Sequence, residues 1–364
     1  MRYRILIFVF AIVATGATTI GQTFEESRSY GRDFIVSGKT DFEILNKYGT
    51  VQIVTGKNDS VKVRAEVVAS SNNLQRMRKM LNGVAVNMTE TGYSIRVQTD
   101  FSANMGFLLE DFKSITGKLI PFENRLRVNY FITVPEGTDI RIDNMFGDVY
   151  LEDVTGRLNL KLSNGSIQTG AVSSQAILDL SFVNGSIKGI ESGKVTASYS
   201  EISIGNSEEI ELVARSSKIE MDACGKLIAN TRRDKIFVGS ARNINIDAYF
   251  SNISVESVAD EIYLRSTYGS FTAPSISNNF TMVSATTQFT DIFLGFNQGT
   301  RAGADIKTAT TTLQLPDSGV SFTNRLIGNE KNEMVIYGNI GRDNGTSRIK
   351  MDITRGSLTI KLNQ

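Results

Sequence analysis

The sequence predicts an all-β fold, a right-handed parallel β-helix (solenoid) with a strand-rich N-terminal insertion that contains one short helix. Three observations predict it. A short phrase recurs: an aromatic or small polar residue, a Gly or small polar anchor, any residue, then an aliphatic. The anchors are Gly49, Gly147, Gly165, Gly185, Ser200, Ser217, Asp234, Ser251, Gly269, Thr290, Thr311 and Gly356. Apolar residues stand two places after them (Val51, Val149, Ile167, Ile187, Ile202, Ile219, Ile236, Ile253, Phe271, Ile292, Leu313, Leu358) and five places before. From Gly147 to Thr311 the anchors return every 15 to 21 residues. A β-rich repeat of about 20 residues is the period of a solenoid. The hand follows from the general preference of parallel crossovers, not from this chain.

Residues 1–21 read as a secretory signal peptide. Arg2 and Arg4 form the basic start, Ile5 to Val13 the apolar run, and Thr19-Ile20-Gly21 the cleavage site before Gln22. The run is too short for a comfortable transmembrane span, and no later stretch is long enough. Residues 22–138 hold the first coil, Phe34 to Val54, followed by an insertion. Period-two alternation predicts strands at Val61–Val67, Ser94–Gln98 and Leu126–Ile132. Asn72 to Leu81 predicts the helix, with Asn72 or Asn73 as cap and Gly83 as its end. Phe107, Leu108, Leu109 and Phe112 fall in an irregular stretch and suit a partner-binding loop or a cover for the first coil. Residues 139–364 are the solenoid proper. Asp317 to about Thr346 interrupts it, and the turn at Gly356 reads as a distorted terminal coil that caps the stack.

Composition narrows the function. The chain has 39 Lys and Arg against 38 Asp and Glu, a net charge of +1, which does not suit a nucleic-acid partner. It has no His, which removes the commonest general base and most zinc sites. Its single Cys224 can form no internal disulfide and reads as a buried small hydrophobe. No cofactor or metal is expected.

The Asn-Gly-Ser-Ile steps at 164–167 and 184–187, the segment Tyr130 to Thr138 with its Val134-Pro135-Glu136-Gly137-Thr138 step, and the closing Ser357-Leu358-Thr359-Ile360 resemble the bacterial putative-adhesin family of β-strand-repeat exported proteins. The resemblance implies a strand-rich front leading into a parallel β-helix, and adhesin-like binding or scaffolding at the cell envelope. It brings no catalytic residues. Ser, Asp or Thr replaces Gly at many anchors here, a departure from the family pattern.

The candidate site is basic. Arg215 and Arg232 share the slot two before the anchor on successive repeats, Lys218 and Lys235 share the slot one after it, and Arg233 stands at the corner. Such a cluster suits the sulfate, carboxylate or phosphate of a surface polymer. The simpler account is a solvated face neutralised by Glu201, Glu220 and Asp222. An aromatic row stands immediately before the anchor at Tyr48, Phe146, Tyr199, Phe250, Tyr268 and Phe289; stacking against one another is the simpler reading and sugar binding the functional one. The expected partners are a cell-surface polysaccharide or an envelope protein. A polysaccharide lyase or hydrolase is the alternative, and it needs convergent carboxylates or an acidic cluster beside a basic residue.

Overall fold

The computed structural model describes residues 23–36, 38–57, 59–103, 124–326, 333–342 and 345–363. The expected signal peptide and the Phe107–Phe112 stretch lie outside the described residues. The protein is all-β with one described helix, its strands joined in a long, mostly parallel, open sheet. The chain divides into two compact units, Met1–Ser174 and Gln175–Gln364.

The first unit contains β1 (Phe24–Ile35), β2 (Asp41–Lys47), β3 (Val51–Gly56), β4 (Ser60–Ser71), α1 (Leu74–Asn82), β5 (Val84–Thr91), β6 (Ser94–Phe101), β7 (Asn124–Pro135), β8 (Asp139–Met145), β9 (Val149–Leu151) and the start of β10 (Leu158–Ser198). The coil around Gly49 stacks in parallel on the coil around Gly147, with β2 on β8 and β3 on β9, although the insertion separates them in sequence. The insertion covers the other side of that first coil. It lays β6 along β2 and β7 along β3, both parallel, and β4 joins β7 to β1 in antiparallel pairing. This covering blunts an edge that would otherwise template association. The helix forms where its caps predict: the Asn73 side chain accepts from the Arg76 N–H at 3.0 Å, and the Gly83 N–H closes onto Lys79 and Met80. Met77, Met80 and Leu81 are its buried face.

The corner column of this unit leaves no space for side chains. A Cβ on Gly147 would lie 1.9 Å from the Gly49 carbonyl oxygen, and one on Gly165 equally close to that of Gly147. Beside it runs a buried polar ladder. Asn46 donates to the Val128 carbonyl and to Asn144, each at 3.1 Å, and accepts from Thr99, whose hydroxyl lies 2.6 Å from that of Tyr130. Burial pushes the Tyr130 phenol up to about 12, although the Thr99 hydrogen bond opposes it.

The second unit continues β10 and adds β11 (Glu201–Arg215), β12 (Lys218–Arg232), β13 (Lys235–Ile276), β14 (Met282–Phe296), β15 (Ala302–Ala309), β16 (Thr312–Gln314), β17 (Val320–Leu326), β18 (Glu333–Ile340) and β19 (Ser347–Leu362). From β10 to β13 each strand pairs in parallel with the next at a separation of 17 residues: Asn184 on Glu201, Glu201 on Lys218, Lys218 on Lys235. Ile202, Ile219, Ile236 and Ile253 thereby line up inside, none more than 3% exposed. Leu212, Ala229 and Ile246 form the second inward row.

Two expectations are corrected. The first concerns one anchor. The corner expected at Gly185 lies at Phe182 and Val183: Phe182 has φ 56°, the Val183 N–H donates to the Ser200 hydroxyl, and Gly185 pairs with Ile202. The Asn184-Gly185-Ser186-Ile187 step copies the sequence of a corner but sits two residues beyond it. A slip of two preserves the alternation of faces, so Leu180 and Ile187 are still buried. The second concerns the Gly356 coil, which does not end the stack. β19 lies between β14 on one side and β15 with β16 on the other, parallel to all three. The outer cover is antiparallel instead, β18 pairing with β15 and β17 with β18.

Candidate functional site: a basic and aromatic corner

The corners have a common construction. The residue before the anchor takes the left-handed conformation, at Tyr199, Ser216, Arg233, Phe250, Tyr268 and Phe289 among others. The anchor itself turns inward, where its side chain stitches neighbouring coils. Ser200 N–H donates to Ser217 Oγ at 3.1 Å, Ser217 N–H to Asp234 Oδ1 at 2.7 Å, and Asp234 N–H to Ser251 Oγ at 3.1 Å. The Ser200, Ser217 and Ser251 hydroxyls also donate to the carbonyl two residues back. This accounts for Ser, Thr and Asp at the anchors: a short polar side chain satisfies corner groups that a glycine leaves to other partners. Asp234 is buried, and burial pushes its carboxyl up to about 6 against the N–H bonds from Ser217 and Arg232.

The five basic residues divide across this corner. Arg215 and Arg232 are register partners at the ends of β11 and β12. Lys218 and Lys235 are partners at the starts of β12 and β13, on the other side of the turn, and Arg233 projects at the turn itself. Lys218 is already neutralised, bonded at 2.8 Å to both Glu201 and Glu220, which raises its pKa. The neutralising account therefore holds for Lys218. Among the described residues no carboxylate pairs with Arg215, Arg232, Arg233 or Lys235. The Arg232 guanidinium instead lies 5.3 Å from the centre of the Tyr249 ring, and Asp247 reaches toward Arg265 at 3.7 Å.

The aromatic row does stack. Phe250 and Tyr268 are 4.6 Å apart and 7° from parallel, Tyr268 and Phe289 are 4.8 Å apart, and the Arg355 guanidinium lies 4.9 Å from the Phe289 ring centre. Phe182 belongs to the row as well, 5.0 Å from Tyr199. The sequence hides it, because the Asn-Gly-Ser-Ile step points to a corner at Gly185. Tyr249 meets Phe250 edge to face. Phe182, Tyr199 and Phe250 remain 58%, 55% and 46% exposed despite the stacking. Tyr48 and Phe146, in the first unit, form a stack of their own at 5.5 Å.

Beyond the corner lies a shallow groove of about 280 Å³, lined by Lys218, Glu220, Lys235, Phe237, Asn252 and Ser254 among others. Cys224 is buried, its Sγ 3.2 Å from the Lys226 carbonyl oxygen, and burial pushes the thiol up to about 11. No helix among the described residues is long and apolar enough to cross a membrane.

No protein-family model matches the sequence, and no curated protein matches it. Similar solved structures include a "putative cell adhesion protein" from Clostridium sporogenes, 12% identical, covering 92% of this chain and 100% of its own, with a TM-score of 0.16. Another is a "putative adhesin" from Bacteroides fragilis, 9% identical, covering 92% of this chain and 97% of its own, with a TM-score of 0.26.

Proposed function

We propose that this is an exported bacterial envelope protein, a right-handed parallel β-helix that works by adhesin-like binding or scaffolding through its lateral face and carries out no catalysis. The observation that carries the reading is the group of exposed cations, Arg215, Arg232, Arg233 and Lys235, that no carboxylate neutralises among the described residues. Guanidiniums left to solvent in neighbouring register are suited to sulfate, phosphate or carboxylate groups presented in series. Many weak contacts repeated from coil to coil would add to a useful avidity. Export rests on the signal-peptide pattern of residues 1–21.

A polysaccharide lyase or hydrolase is the second reading, favoured by the groove that brings Glu220 beside Lys218 and Lys235. The salt bridge between Glu220 and Lys218 weighs against it, because the carboxylate is already engaged. Incubation of residues 22–364 with a panel of polysaccharides, with calcium present and then chelated, separates the two. Binding without release of new chain ends is the expected result. Turnover of any polymer would replace the binding reading with the enzymatic one.

A further inference from the structure

We infer that the aromatic and arginine corner of the second unit is a peripheral docking ridge for an anionic lipid bilayer. This goes beyond adhesin-like binding and rests on that reading only for its location at the envelope. The stacking geometry of the longer ring column favours one class of ligand. A sugar ring packs on the face of an aromatic ring, but Phe250, Tyr268 and Phe289 spend their shared faces on one another. What they offer outward is edges. Ring edges beside cations are what the interface of a bilayer accepts, where aromatic side chains settle at headgroup level and guanidiniums meet lipid phosphates.

The corner interleaves the two. Between the exposed rings of Tyr199 and Phe250 the same position holds Ser216 and Arg233. Arg215 and Arg232 stand alongside, and Tyr249 lies against Arg232 on one side and perpendicular to Phe250 and Tyr268 on the other. The left-handed backbone at Tyr199, Ser216, Arg233 and Phe250 places these four residues at the turn itself. Register stacking sets the turns in a row, about 4.8 Å apart. A row of exposed side chains several turns long matches an extended surface better than it matches a compact ligand. Its charge is complementary to anionic headgroups, since the nearby carboxylates of Glu201 and Glu220 are held by Lys218.

The test is co-sedimentation of residues 22–364 with vesicles of phosphatidylcholine alone and of phosphatidylcholine with phosphatidylglycerol. Partition onto the anionic vesicles only, weakened by salt, is expected. Each cation near such a surface is worth about a factor of five in partition. The combined variant Arg215→Gln, Arg232→Gln, Arg233→Asn should therefore lower it about 100-fold, with an unchanged circular-dichroism spectrum. Phe250→Asn with Tyr268→Asn, which keeps a residue tolerant of the left-handed turn, should also weaken it. Absence of binding, equal binding to neutral vesicles, or binding that survives the arginine variant would overturn the inference. Retention of an acidic polysaccharide by the same arginines, with vesicles ignored, would overturn it too and leave the envelope-binding reading standing.

Discussion

Asp234 occupies a position that Ser200, Ser217 and Ser251 fill in neighbouring coils, and it is the costly member of the row. Its folded pKa of about 6 stands above the ordinary 3.8, so the folded chain holds this proton more tightly than the unfolded chain. The contribution to stability is therefore fully present below pH 4, falls as pH rises toward 6, and stays low above that. Asp234→Ser should remove that dependence, so that the variant gains on the parent as pH rises from 4 to 6, and should raise stability near pH 7.5 by at most about 3 kcal/mol, the full linkage of a shift of about two pKa units. Thermal unfolding across pH 4 to 8 measures it; a variant less stable than the parent at pH 7.5 would show that the carboxylate's bonds to Ser217 and Arg232 outweigh its burial. Asp139 illustrates the opposite case. Burial alone would raise its pKa, but hydrogen bonds from Arg157, then Lys39, outweigh it and hold the carboxyl down at about 2. Gly147 poses a steric question. Gly147→Ala forces a Cβ into the Gly49 carbonyl and should cost at least about 3 kcal/mol, read as a lowered denaturation midpoint. A midpoint within experimental error of the parent's would mean the two coils are not in contact there.

At the scale of elements, alternation carried most of the fold and register carried the surprises. The inward rows at plus two and minus five could be read directly because the side-chain period of a strand is two. The Asn73 and Gly83 signals likewise located the helix. Gly185 misled because a glycine-rich step announces a turn only in the absence of neighbours, whereas here the coil beneath, through Ser200, selects Val183. The sequence pattern does not predict strands β1 and β5. β5 has its partner in β6, but its outer half is exposed and carries Asn87, Thr89, Glu90 and Thr91, so hydrophobic periodicity is weak. The placement of β19 was illegible for a different reason: nothing in a local pattern says which of two coils will part to admit a third. A chain ending at Gly345 leaves β14 and β15 with unpaired edges and should unfold at lower temperature or self-associate. Adding a peptide of residues 346–364 should reverse the effect by strand addition. A truncated chain that melts like the parent and stays monomeric would contradict the interleaved placement.

At the scale of the whole molecule, the candidate site was legible as residue types and not as a surface. The sequence placed five cations together; the fold separates the arginines from the lysines across a turn and withdraws Lys218 into a salt bridge. It also brought out the ring row as a packed column with exposed edges, a distinction that needs interplanar angles and cannot be found in spacing. A simple repeat array can fray from its end, one coil at a time, because each coil touches only its neighbours in sequence. The second unit cannot do so where Thr290, Gly356 and Thr311 meet. Its β19 is wedged between a strand 66 residues upstream and one 45 residues upstream, so losing either neighbour strips one of its two ladders, while losing β19 itself bares an edge on both neighbours. That part of the molecule is like a zip with one tooth fitted out of order: the last tooth of the chain sits inside the row, and drawing it out opens a gap on both sides.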